Sequence, residues 1–339
     1  MRNAHRRFGP PAAVLFLLLA GCAATGPPAV EPELEPIVVE ARPLPVPAPP
    51  EPVVQPAPPR EPPRADLLLV VDPSTPAHAD VADEIVAALP PRRYRVQRVP
   101  ASAAPELEAF RSRRVTIVAV GPAAVSAARA ALPDKPLVFC QVPGYAEALQ
   151  AGGPIWGVQT LPPLELQLKS WQAVDPSLRT IALIVSAGGA ALADEARAAA
   201  SSRAADLLVE TSASDRETLY LFRRIAATVD GLWLLPDNAA LSPAALRELL
   251  TLASTRGIGV LTFNEALLAR GALLTATAVP ADVAATVTRV VDRVVAGRTS
   301  DLPAMTPLSA AALAVNVDLA TALGLPPVVE SHWVVRDPD

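Results

Sequence analysis

From Asp66 onward the sequence predicts an α/β protein of two similar lobes, each a parallel sheet covered by helices on both faces. Three observations predict it. Short apolar runs rich in β-branched residues recur, each closed by a breaker, and such runs read as strands. Alanine-, leucine- and arginine-rich amphipathic stretches separate them, and wholly apolar strands alternating with helices belong in a sheet buried on both faces. The pattern then runs a second time, and the roughly 275 residues involved exceed one ordinary domain and suit two.

The first set of strands is predicted at Asp66–Asp72, Tyr94–Val99, Val115–Val120 and Leu137–Cys140. The second is predicted at Thr180–Val185, Asp206–Glu210, Gly231–Leu235 and Ile258–Phe263. Helices are predicted at Ala79–Leu89, Ala123–Ala131, Leu164–Val174, Asp194–Ala204, Arg216–Thr228, Ser242–Arg256 and Ala281–Ala296. Ser242-Pro243 is a strong helix start, a capping serine followed by a proline whose missing N–H costs nothing in the first turn. Trp171 on an amphipathic stretch and Trp233 in mid-strand read as core, whereas Trp156, just ahead of a predicted crossover at Gly157, reads as core or cleft floor.

The N-terminal residues have another texture. Arg2, Arg6 and Arg7 precede an apolar stretch, Ala12–Ala20, of about nine residues, and a membrane-spanning helix needs roughly 20. A basic start, a short apolar core and a small-residue exit make an export signal. The exit, Leu19-Ala20-Gly21-Cys22, resembles the lipobox of bacterial lipoproteins, which implies cleavage before Cys22 and lipidation of its thiol. Residues 1–21 are therefore read as a signal peptide and 22–64 as a lipidated cysteine with a proline-rich tether. That composition favours extended polyproline II, with a reach of up to about 130 Å at about 3.1 Å per residue. A docking motif for a proline-binding partner is the competing reading of the same segment.

With Cys22 lipidated, Cys140 has no disulfide partner and reads as a small buried hydrophobe. Loss of the three signal arginines takes the net charge from −5 to −8, and an acidic body without a basic stripe is a poor nucleic-acid binder. The three histidines, His5, His78 and His332, form no metal-spaced cluster, and Val185-Ser-Ala-Gly-Gly-Ala190 lacks the spacing of a dinucleotide loop. No cofactor and no enzymatic activity are expected.

Open parallel sheets bind ligands beyond the carboxyl ends of their strands. In the first lobe the strand ends are Asp72-Pro-Ser-Thr75, Gly121-Pro-Ala123 and Gln141-Val-Pro-Gly-Tyr145; in the second they are Ser186-Ala-Gly-Gly189, Pro236-Asp-Asn238 and Asn264-Glu265. Each holds hydroxyls, amides or carboxylates. Any one of them is explained by turn and capping chemistry; the repetition at strand ends of both lobes points to a shared cleft. The candidate ligand-binding residues are Ser74, Thr75, Gly121, Gln141, Tyr145, Ser186, Asp237, Asn238 and Asn264. Asp237 is placed to accept an ammonium group, Ser74 and Thr75 with nearby amides to hold a carboxylate, and Tyr145 to lie against an apolar moiety.

Several segments, in this order, carry a resemblance: Pro136–Val142, Gly157-Val158, Leu164–Leu168 with Asp175-Pro176, and Ile181–Val185. Asp230–Leu246, Gly257–Leu274, Ala296-Gly-Arg298, Leu302-Pro303 and Val315–Leu325 continue it. The body resembles the extracytoplasmic solute-binding proteins of the tryptophan/tyrosine-type ABC transporter group. The resemblance implies two Rossmann-like lobes of type I periplasmic-binding-protein architecture, with lobe I at 65–158, lobe II at 159–276, and 277–339 as a return to lobe I and C-terminal segment. It implies a small-molecule ligand, amino acid-like by analogy, taken up between the lobes for an ABC permease. One departure stands out: the family commonly shows Asp-Pro-Val after the Pro-Leu-Val-Phe strand, and this chain has Val142-Pro143-Gly144 instead. The alternative is a non-transport envelope lipoprotein, a sensor or adaptor that keeps the fold. Ala23 after the lipidated cysteine, rather than aspartate, favours the outer over the inner membrane.

Mass spectrometry of the mature N-terminal peptide is expected to find Cys22 as the first residue with two or three acyl chains, the number that makes anchoring stable. An unmodified Cys22, or cleavage elsewhere, would contradict the assignment.

Overall fold

The computed structural model describes residues 64–143, 152–237 and 241–336. The signal segment, Cys22 and the tether lie outside the described residues, as do Tyr145 and Asn238.

The chain opens with β1 (Ala65–Val71), α1 (Pro76–Ala88), β2 (Tyr94–Pro100), a short α2 (Ala104–Glu108), β3 (Thr116–Val120), α3 (Pro122–Ala131), β4 (Leu137–Cys140) and β5 (Ile155–Val158). It then crosses into α4 (Leu164–Val174), β6 (Thr180–Val185), α5 (Ala190–Ser202), β7 (Asp206–Thr211), α6 (Asp215–Ile225), β8 (Gly231–Leu234), α7 (Pro243–Thr255), β9 (Gly259–Thr262) and β10 (Leu274–Ala278). The remainder is α8 (Pro280–Val295), β11 (Met305–Thr306), β12 (Ala310–Val315), α9 (Val317–Ala322) and β13 (His332–Arg336).

Two sheets result. The first has six parallel strands in the order β11-β5-β4-β3-β1-β2. The second has seven, β13-β12-β10-β9-β8-β6-β7, parallel except where β12 runs antiparallel to both β10 and β13. Alternation along single strands shows why both faces are covered. In β1, Leu67, Leu69 and Val71 enter a core shared with α1 and α8, while Leu68 and Val70 enter one shared with α3. In β6, Ile181, Leu183 and Val185 pack with α4 and α5, while Ala182 and Ile184 pack with α6 and α7.

Trp171 and Trp233 are fully buried in lobe II, as expected. Trp156 is half-buried against the lobe I core. Cys140 is buried and free, and burial pushes its thiol pKa up to about 12. Gly157 is not the crossover: it lies inside β5, paired with Phe139 and Met305.

The chain passes between sheets three times, at 159–163, at Val279 and at 307–309. These passages are tied together. Gln159 N–H donates to the Thr306 carbonyl at 2.9 Å, linking the first to the third. Asp282, buried in the first turn of α8, links the second to the third. Its carboxylate accepts from Ser309 N–H at 2.8 Å, Ala310 N–H at 3.0 Å and the Ser309 hydroxyl at 2.6 Å.

The C-terminal segment differs from expectation. Residues 280–306 return to lobe I, but β12 and β13 join the sheet of lobe II and α9 packs on its core.

Asp282→Ala is expected to cost about 2–4 kcal/mol in denaturant unfolding, because it leaves two largely buried amides without an acceptor. Asp282→Asn should cost less than half of that, since its carbonyl still faces the two amides.

Candidate functional site

Because β5 ends at the first crossover and β10 at the second, and β4 and β11 beside the one and β9 beside the other run parallel to them, the parallel strands of both sheets turn their carboxyl ends toward the crossovers and so toward each other. Each sheet also has a topological switch point, where the chain leaves one strand and continues on its other side. In lobe I it lies between β1 and β3, and in lobe II between β6 and β8. Ligands of open α/β sheets bind at such points.

In lobe I the switch point is spanned by Asp72, only 3% exposed at the end of β1. Its carboxylate accepts from Ser74 N–H at 2.9 Å and, across the switch, from Ala123 N–H at 3.2 Å in the first turn of α3. His78 Nδ1 lies 3.1 Å from the Asp72 carbonyl oxygen, which only accepts, so that nitrogen carries the proton. Burial alone would raise the Asp72 pKa. The donors from Ser74 and Ala123 and the neighbouring His78 outweigh it and hold the carboxyl below its ordinary value. Gly121 makes room: it takes φ 91°, and a Cβ there would lie 2.7 Å from both Asp72 Cβ and the His78 ring.

Lobe II repeats the device with the aspartate on the opposite loop. Asp237, after β8, accepts from Ser186 N–H through Oδ2 and from the Ser186 hydroxyl at 2.9 Å through Oδ1. Again a glycine leaves the room, since a Cβ on Gly189 would lie 2.5 Å from Asp237 Oδ2. Beside this bridge is a cavity of about 360 Å³, lined by Ser186, Ala187 and Gly188 after β6, Ser212–Asp215 after β7, Thr218 of α6, and Asp237 and Leu241 after β8. Its volume lies in the range of small-molecule sites.

The structure brings Ser186 and Asp237 together in that cavity, and gathers Ser74 and Gly121 around Asp72. Thr75 is exposed at the start of α1, with no capping bond from its side chain. Gln141 follows β4 in a left-handed backbone conformation, φ 57°, uncommon for a residue with a side chain. Asn264 caps the short 3-10 turn Glu265–Arg270 by accepting from Ala266 N–H at 3.0 Å. The amide that would help Ser74 and Thr75 hold a carboxylate, Ser74 N–H, is engaged by Asp72.

Sequence reasoning missed Asp72 as a site residue, and with it Ser212, Ser214, Asp215 and Thr218. The last group carried a signal in Ser214-x-x-Glu217, a capping box: Ser214 accepts from Glu217 N–H, and the Glu217 carboxylate accepts from Ala213 N–H. It marks the start of α6 at a strand end. Asp72 showed locally only as part of a strand-end turn cluster, and its far partner, Ala123, is supplied by the fold.

No family model matches this sequence, and neither does any curated protein. Solved structures do match. The ligand-free, open form of a substrate-binding protein with adhesive properties from Clostridium difficile superposes with a TM-score of 0.60 at 16% identity, covering 79% of this chain and 97% of that one. An ABC domain in complex with L-Trp from Streptococcus pneumonia has a TM-score of 0.51 at 16% identity, over 78% and 96% of the two chains. A conserved domain protein from Vibrio cholerae gives the same values. At such identities the likeness is one of fold. The architecture is that of the type I periplasmic binding proteins.

The Asp72 bridge is expected to show in acid. Because its folded pKa is depressed, its contribution to stability is complete above its unfolded value of about 4 and is lost as pH falls through the folded value. Asp72→Asn should therefore flatten the low-pH limb of a stability–pH curve. Gly121→Ala, which meets both backbone strain and a clash, should cost about 2–4 kcal/mol. Gly189→Ala, which meets the Asp237 carboxylate and Val185 Cβ without backbone strain, should cost about 1–3 kcal/mol.

Proposed function

We propose that this protein is a lipid-anchored extracytoplasmic solute-binding protein that takes up a small molecule between its lobes for an ABC importer. One observation carries the reading: two parallel sheets point the carboxyl ends of their strands at each other across three short crossovers, and a cavity of about 360 Å³ opens at one switch point. That geometry suits capture by hinge closure, with the crossovers as hinge. The fold shared with a substrate-binding protein and with an L-Trp-bound ABC domain supports the same class. Cys22 would supply the anchor and the proline-rich tether the reach, which places the body in the cell envelope, with the outer membrane favoured. The chemistry is binding rather than catalysis.

A second reading, a sensor or adaptor lipoprotein on the same fold, is favoured by the bridging of both switch points by the protein's own carboxylates.

A thermal-shift screen of amino acids, amines, polyols and sugars on the body from Arg64, followed by small-angle scattering with any hit, separates the two. Capture predicts a raised melting temperature together with a smaller radius of gyration. A complete absence of hits, or a hit without compaction, would favour the adaptor.

A further inference from the structure

The hydrogen-bonding inventory of the two switch points is lopsided. In folds of this type, anions are held by free amides at strand ends and helix N-termini. Here several of those amides are spent internally. In lobe I, Ser74 N–H and Ala123 N–H go to Asp72, while α1 and α3 open on Pro76 and Pro122, which have no N–H to give. In lobe II, Ser186 N–H goes to Asp237, Gly188 N–H to the Ser186 hydroxyl, Ala213 N–H to Glu217 and Ser214 N–H to the Ser212 hydroxyl.

Acceptors, by contrast, remain. A carboxylate offers about four lone-pair sites. Among the described residues, Asp237 receives two hydrogen bonds, both from Ser186, and the two oxygens of Asp215 share the single N–H of Ser242. Both aspartates line the 360 Å³ cavity, and among the described residues no lysine, arginine or histidine does.

We propose that the ligand is an organic cation that carries no carboxylate. Its ammonium or amidinium group is held by Asp237 and Asp215. Asp72 acts as a specificity residue, its carboxylate filling the place in lobe I where a ligand's own carboxylate would sit. The proposal rests on the capture reading above and narrows it. A zwitterion entering this site would bring a second anion toward fixed carboxylates and find several of the strand-end donors taken. Like-charge juxtaposition of this kind is how binding sites reject a near-isostere.

The test uses matched pairs that differ by a carboxylate: tryptamine and tryptophan, agmatine and arginine, choline and betaine. Each is titrated calorimetrically against the wild-type body and against Asp237→Asn and Asp72→Ala. In at least one pair the amine is expected to bind about tenfold tighter or more than its carboxylated counterpart. Asp237→Asn, which removes charge but little volume, should weaken that amine by about 30-fold or more. Asp72→Ala should narrow the preference, and acetate should raise its melting temperature while leaving the wild type unmoved. Should Asp72→Ala not fold, Asp72→Asn carries the same comparison of pairs. An amino acid bound as tightly as its amine, or tighter, overturns the cation class and leaves capture standing. Indifference of a folded Asp72→Ala to acetate overturns the role of Asp72. If no member of either series binds or compacts the protein, capture itself fails, and this proposal with it.

Discussion

At each switch point one aspartate reaches across to the neighbouring strand-end loop, and much of the candidate site depends on that bridge. A carboxylate drawn out of water must recover its hydration from fixed donors, or neutralise. Asp72 recovers it from two amides, one on its own loop and one on the first turn of α3; Asp237 recovers it from the amide and hydroxyl of Ser186. Each bridge needs its loops in near contact, which is why a glycine stands where any Cβ would strike the aspartate or its surroundings: Gly121 in lobe I, Gly189 in lobe II. The two bridges run in opposite senses along the chain, from first strand to second in lobe I and from second back to first in lobe II. Related packing has been reached from different sequence positions.

The same chemistry operates at the crossovers. Asp282 binds the third crossover through three hydrogen bonds, and a backbone bond joins the third to the first. The three passages are therefore held as one unit, and a change in the angle between lobes would turn about that unit rather than strain each passage separately. Rigid lobes suit such motion. β1 and β6 are buried on both faces, so each lobe has core above and below its sheet, and close-packed interiors deform little.

Local sequence carried much of the fold. The eight apolar runs read as strands are strands, shifted by a residue or so at their ends, and the seven amphipathic stretches are helices. Three of the five strands absent from that reading share a reason. β12, Ala-Ala-Ala-Leu-Ala-Val, is built from alanines, which favour helix in isolation; β5 has four residues and a glycine; β11 has two residues. Such segments become strands because a neighbouring strand offers them hydrogen bonds and a packed face.

What the sequence by itself determined was the alternation of apolar strands and amphipathic helices, its repetition, and the clustering of small polar residues at strand ends. Periodicity and turn chemistry are local properties, written in neighbouring residues. The tertiary structure alone decided which of those polar groups meet. Asp72 and Ala123 lie 51 positions apart, as do Ser186 and Asp237, and Asp282 lies 27 positions from Ser309. A carboxylate at a strand end is equally a turn residue, a cap or a ligand contact until the fold supplies its donors. Here the fold supplies them from within each lobe, because strand order places the two loops of a switch point side by side and a glycine lets them close.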